Sequence, residues 1–170
     1  GISHAGTLIS AILRVTDAGW RTPVTRMAEL ITVVAISIGA LMPIIDLGRP
    51  DRVLYIILYG RFQSPLVWDV VSITSYLAGS LIYLYLSMRR DFALTANLVP
   101  RWGWLYKILA LGYEDTKETR DLHERVLWWL ALVLIPIMVS VHSVYGFVFG
   151  LQGGRPGWFN PFMAPYFVLG

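Results

Sequence analysis

Four long apolar stretches run through this chain: Ile2 to Ala18, Val24 to Ile45, Pro65 to Met88 and Val126 to Gly150. A helix needs about 20 mostly apolar residues to cross the hydrocarbon of a bilayer. Inside a bilayer every backbone polar group must find its partner within the protein, which leaves helices and closed barrels. Barrel strands alternate apolar and polar residues over about 10 positions. These runs are longer and continuous, so they read as helices. The chain is 56% hydrophobic and only 15% charged, against about 25% charged for an ordinary soluble domain. The expected fold is an all-α, polytopic membrane helical bundle of about four complete transmembrane helices. A fifth apolar segment starts near Pro161 and is too short to span. With Gly1 opening directly into apolar sequence and no basic region of a signal peptide, the expectation is a piece of a longer polytopic protein.

The net charge of +3 and pI near 9.3 do not point to nucleic acid. Basic residues cluster in the loops, where membrane topology and anionic headgroups account for them. The expected surroundings are a lipid bilayer. Cysteine is absent, which excludes disulfides, thiolate chemistry, Cys-ligated iron–sulfur clusters and Cys-attached haem in this segment.

Punctuation sets the loops. Asp17 to Pro23 forms a short turn. Asp46-Leu-Gly-Arg-Pro-Asp51 breaks the second helix, and Val53 to Tyr59 reads as a short interfacial helix. The longest link, residues 89–125, contains Trp102 to Leu111 as a second interfacial helix. Arg21, Arg26, Arg89, Arg90, Arg101, Lys107, Lys117 and Arg120 lie on one side of the membrane, against Arg49, Arg52, Arg61 and Arg155 on the other. That bias makes the 89–125 link cytoplasmic.

With this topology, His4, Asp46, Asp69 and His142 come from four different helices to the outer face. Ionisable groups at membrane depth are expensive and face a bundle interior or a cavity. His4 and Thr7 share one helix face, and Gly6 allows close approach of a neighbour. Pro43 kinks the helix before Asp46, and Arg49 can pair with that carboxylate. Asp69 follows Trp68 near a helix start. Each residue also has a plainer reading: headgroup-level hydration for His4, a helix-ending ion pair for Asp46, favourable dipole placement for Asp69 and a structural hydrogen bond for His142. Towards the inner face, Arg14 with Asp17 and Arg26 with Glu29 stand at pairing distance along their helices. A proton path through Arg14, Asp17 and Glu29 competes there with ordinary snorkelling and interhelical hydrogen bonding. Thr32, Ser37, Ser72, Ser75, Tyr76 and Ser80 scatter further polar groups along the helices.

Gly1-Ile-Ser-His-Ala-Gly-Thr-Leu-Ile-Ser-Ala-Ile-Leu-Arg14, with Arg21-Thr-Pro-Val-Thr-Arg26 and Asp46-Leu-Gly-Arg-Pro50 after it, resembles the NrfD/polysulfide-reductase membrane-subunit family. It most resembles the quinol-binding NrfD-like subunit of bacterial alternative complex III. The resemblance covers the four apolar stretches, most of the chain, and implies that residues 1–170 are part of one NrfD-like transmembrane domain. It implies a bacterial plasma membrane subunit that binds quinol near the outer face and has no haem or iron–sulfur cluster of its own. It further implies an iron–sulfur subunit, a multihaem cytochrome c subunit and a second NrfD-like subunit as partners. The expected substrate is menaquinol or ubiquinol.

Quinol oxidation releases two protons and two electrons. A neutral imidazole accepts a hydrogen bond from a quinol hydroxyl and has a pKa near physiological pH. His4, Asp46 and Asp69 are the candidate catalytic residues. His4, Thr7, Arg49, Trp68 and His142 are the candidate quinol contacts. No metal site is expected. Two rival readings are a b-type cytochrome ligated by His4 and His142, and a transporter or proton channel working through Glu29 and Arg14. Proton translocation coupled to the redox work is a further expectation.

Overall fold

The computed structural model describes residues 2–46, 48, 50–96, 98–99 and 102–169, with the backbone alone at positions 43, 46, 52, 53, 57 and 164. Among these residues seven α-helices follow in order: α1 (Ile2–Val15), α2 (Arg21–Asp46), α3 (Val53–Leu58), α4 (Pro65–Ala96), α5 (Gly103–Ala110), α6 (Lys117–Gly150) and α7 (Met163–Leu169). A short 3-10 turn, Pro50–Arg52, precedes α3. No strand occurs among the described residues.

The bundle is built from α1, α2, α4 and α6. In cyclic order α1 packs on α2, α2 on α4, α4 on α6 and α6 on α1. Successive long helices run in opposite directions, so α1 lies parallel to α4: Ser3 meets Tyr76, and seven residues on Ser10 meets Tyr83. At 1.5 Å per residue, α2, α4 and α6 exceed the roughly 30 Å hydrocarbon thickness. These three are long and apolar enough to cross a membrane, while α1 is a shorter apolar helix of 14 residues.

Polarity is distributed as a bilayer demands. Ser3, Thr7, Ser10, Arg14, Thr25, Glu29, Thr32, Asp69, Ser80 and Ser87 are buried, while Leu30, Val34, Ile38, Ile82 and Val133 are exposed. Water would favour the reverse. Lipid rewards apolar side chains outside and requires polar groups to pair inside. Two small apolar clusters fill the remaining interior, one around Leu127, Ala131 and Leu134, the other around Ile36, Met138 and Val141. Close helix approach depends on glycine. A Cβ on Gly6 would stand 2.7 Å from the Ala28 carbonyl oxygen of α2.

Helices α4 and α6 extend beyond the apolar runs. α4 continues from Met88 to Ala96, and α6 begins at Lys117 rather than near Val126. Hydropathy marks where hydrocarbon ends. Helical backbone persists into the polar region, because Arg, Glu and Lys are good helix formers. Thr116 caps α6, its Oγ1 accepting from the Thr119 N–H, which satisfies one of the free amides of the first turn. The two short segments expected as interfacial helices are helical, as α3 and α5. Arg89 donates to the carbonyls of Ala110 (2.9 Å) and Leu111 (3.1 Å), so a cation from α4 holds the C-terminal end of α5.

Candidate functional site: an imidazole pair above a buried polar seam

Antiparallel packing carries the start of α1 and the last third of α6 to the same end of the bundle. There the His4 and His142 rings stand 3.8 Å apart, centroid to centroid, tilted by 58°. On its other side His4 stacks on Tyr76 at 4.8 Å with an interplanar angle of 13°. His4 Nε2 is buried without a hydrogen-bond partner among the described residues. A histidine nitrogen so placed is either neutral or paired to something outside these residues, since a buried unpaired charge is costly.

Tyr76 orients the pair. Its hydroxyl meets Thr7 Oγ1 at 2.5 Å, donates to the Ser3 carbonyl at 3.1 Å and accepts from Ser3 Oγ at 3.2 Å. Thr32 Oγ1 donates to the same Ser3 carbonyl at 3.0 Å. Helix α1 therefore holds the tyrosine of α4 directly, α2 braces that contact through Thr32, and the tyrosine ring supports His4.

Asp69 lies at the same end of the bundle, 8% exposed, with Oδ1 unpaired among the described residues. It lines an open groove of about 670 Å³ with Gly39, Met42, Ile45, Tyr145, Val148 and Phe149. The wall is apolar apart from one carboxyl and one phenol, and α2 and α6 supply most of it.

The other expected residues are placed as follows. Thr7 joins the His4 cluster. Trp68 is half-exposed, donates from Nε1 to the Phe62 carbonyl at 2.7 Å and lines a different groove, with Ser72, Ser75 and Pro136. It is not brought to His4. Asp46 is the last residue of α2; its side chain, like the whole of Arg49, lies outside the described residues.

Towards the basic end the pairings differ from those suggested by helical spacing. Arg14 does not pair with Asp17. It is buried, donates from Nε to the Tyr83 hydroxyl (2.9 Å) and from Nη1 to Glu124 (3.1 Å). Asp17 falls two residues after α1 ends, adopts φ 52° and pairs with Arg21, exposed to solvent. The helix stops before Asp17 can share a face with Arg14. Arg26 pairs with Asp91 of α4 rather than Glu29, and Glu29 accepts instead from Ser10 Oγ at 2.9 Å. Glu29 is thus fully interior at 2% exposure, while Asp17 stands apart from the seam.

Several participants escape a reading of the sequence alone: Ser3, Ser10, Tyr83, Ser87 and Glu124. One signal for them is present. On α4 the buried positions Asp69, Ile73, Tyr76, Ser80, Tyr83 and Ser87 alternate in steps of four and three. That is the spacing of a helix seam, here occupied mostly by polar groups.

The two imidazoles are in van der Waals contact, leaving no gap for a porphyrin between them as they stand. The arrangement instead offers an unpaired carboxyl oxygen on an apolar groove and, at the same end of the bundle, a buried imidazole nitrogen without a partner among the described residues. It suits a ligand with an apolar body and hydroxyl or carbonyl oxygens on its head.

Comparison with known proteins agrees with this architecture. The polysulphide reductase NrfD family matches residues 1–170. A putative dimethyl sulfoxide reductase membrane subunit from Halobacterium salinarum is 30% identical over 99% of the chain and 36% of its own length. A selenate reductase subunit from Mesobacillus selenatarsenatis is 26% identical over 99% of the chain and 41% of its own length. The chain thus spans little more than a third of the length of the curated relatives it matches. With the family matching from the first residue to the last and a helical membrane bundle in place, this protein belongs to the polysulphide reductase NrfD family.

Proposed function

We propose that the chain forms part of the quinol-binding membrane subunit of an oxidoreductase complex, and that the His4–His142 end is where quinol is oxidised. The observation that carries this reading is the free His4 Nε2, held by Tyr76 and His142 at the same end of the bundle as the Asp69 groove. One quinol hydroxyl donates to His4 Nε2 and passes its proton there. The second proton goes to Asp69 directly or through water, and Tyr145 shares the groove as a hydrogen-bonding neighbour. The two electrons leave one at a time to an iron–sulfur centre on a partner subunit, so quinol is converted to quinone. Met42, Ile45, Val148 and Phe149 would hold the isoprenoid tail. Reductases such as those the relatives' names describe need a supply of electrons, and a quinol-oxidising membrane subunit provides one.

The finer reading adds a multihaem cytochrome c subunit and a second NrfD-like subunit in a bacterial plasma membrane, as in alternative complex III. Purification of the native complex separates it from a terminal reductase. A co-purifying multihaem cytochrome supports the finer reading, and a soluble reductase subunit in its place overturns it.

The central test is His4→Ala in the intact complex. Loss of a positioned proton acceptor lowers quinol oxidation by about a hundredfold or more, with assembly checked by native gel. Near-normal turnover in an assembled complex overturns the assignment.

A further inference from the structure

Two groups in the middle of the bundle are buried and unpaired among the described residues: Glu29 Oε2 on α2 and Ser80 Oγ on α4. They are 2% and 3% exposed as residues. Both line one small cavity of about 10 Å³, together with Thr7, Thr32, Tyr83 and Leu134. That is about the space one water molecule requires, and a buried water needs two to four polar partners. The cavity offers five polar side chains and one apolar one. An unpaired carboxyl oxygen in such a place is costly, and Glu29 Oε2 is such an atom even with the Ser87 hydroxyl close by.

We propose that this cavity is a water site which joins Glu29 to the Thr7–Thr32–Tyr76 hydroxyl cluster beside the His4 ring, making Glu29 the proton-holding terminus of a chain that starts at those hydroxyls. The water donates to Glu29 Oε2 and exchanges a hydrogen bond with Ser80 Oγ. Above it, Thr7, Thr32 and Tyr76 are already connected. Below it, Ser10 donates to Glu29 Oε1, and the Arg14 guanidinium lies behind Ser10 and Tyr83. Arg14 keeps its proton in proteins, so the chain ends at Glu29 rather than passing through it. Each hydroxyl takes one proton and gives one, so a proton handed to the Tyr76–Thr7 hydroxyls by a group bound at that end of the bundle ends on one carboxylate, Glu29. The water site stands on the cavity and the unpaired atoms. Its role as a proton acceptor rests on the quinol reading above.

The test uses the full-length complex in nanodiscs. A high-resolution density map should show a water-sized peak within hydrogen-bond distance of Glu29 and Ser80, lost in Ser80→Val, whose methyl groups occupy the space. Ser80→Ala serves if the valine variant fails to assemble. Infrared difference spectra between quinol-reduced and oxidised states should show a protonated-carboxyl band that vanishes in Glu29→Gln and is lost in the Ser80 variant. Clear side-chain density with no water overturns the site. A band that survives unchanged in Glu29→Gln overturns the proton role. Water density in a complex that never turns over quinol upholds the site and sinks the quinol reading instead.

Discussion

Tyr76 shows how much one hydroxyl can organise. It binds Ser3 and Thr7 of α1 from its place on α4, while its ring supports His4. Interhelical hydrogen bonds in membranes contribute about 0.6 kcal/mol on average and up to about 1.7. Tyr76→Phe should therefore destabilise the folded protein by about 1 kcal/mol, read by denaturation in mixed micelles. Combining it with Thr7→Val should cost less than the sum of the two, because each change removes the other's partner. Strict additivity would show that the two hydroxyls do not share a bond. The His4–His142 approach is legible in the sequence, since alternating helices bring those positions to one end. The Tyr76 and Tyr83 partners are not legible. Nothing in a tyrosine's place on an apolar helix tells whether its hydroxyl faces lipid headgroup, a neighbouring helix or water, and only the 4-3 spacing along α4 hints at the interior. Arg14 illustrates the same limit. Its i+3 neighbour Asp17 looks like the partner until the helix is seen to end at Val15, and the true partner Glu124 lies 110 residues away.

At the scale of elements, α1 is the shortest bundle helix and makes a very tight approach. Gly6 lets it sit on α2 at Ala28 and Thr32. Gly6→Leu forces the helices apart and should cost about 1–3 kcal/mol by overpacking. It should also weaken the Ser3–Thr32 and Thr7–Tyr76 contacts, so the quinol oxidation proposed above falls along with stability. Wild-type stability in this variant would mean that α1 is not packed as described. The α5–α6 junction lies outside the spans and carries its own ionic clamp. Arg120 donates to the Asp115 carboxylate at 3.1 Å and Arg90 stands 3.3 Å away. These guanidiniums, Arg120 foremost, hold the Asp115 carboxyl below the usual carboxylate range. Because the folded value is depressed, the contribution to stability is present above the ordinary carboxylate pKa and is lost as pH falls through the folded value. Hydrogen exchange at residues 112–116, corrected for intrinsic rate, should therefore quicken under strongly acid conditions, and Asp115→Asn should reproduce that behaviour at neutral pH. Unchanged protection in the asparagine variant would show that the junction is held by Arg89 and the α5 carbonyls alone.

For the whole molecule, the decisive quantity is direction. The bundle has one end built from His4, His142 and Asp69 and another crowded with Arg14, Arg21, Arg26, Arg89, Arg90 and Arg120. Excess basic residues favour the cytoplasmic side, which would leave the imidazole pair facing outward. Quinol protons released there would add to the gradient across the membrane, whereas release on the opposite side would not. These 170 residues contain no cysteine, so one introduced thiol is the only one they present. Gln63, between α3 and α4, and Glu114, between α5 and α6, are both exposed and lie at opposite ends of the bundle. In sealed right-side-out vesicles an impermeant maleimide should label Gln63→Cys directly and Glu114→Cys only after detergent. The reverse pattern would turn the bundle over and place quinol oxidation on the cytoplasmic side. The proposed Glu29 chain would then draw protons towards the outside, so the same labelling result fixes the sign of any charge movement linked to turnover.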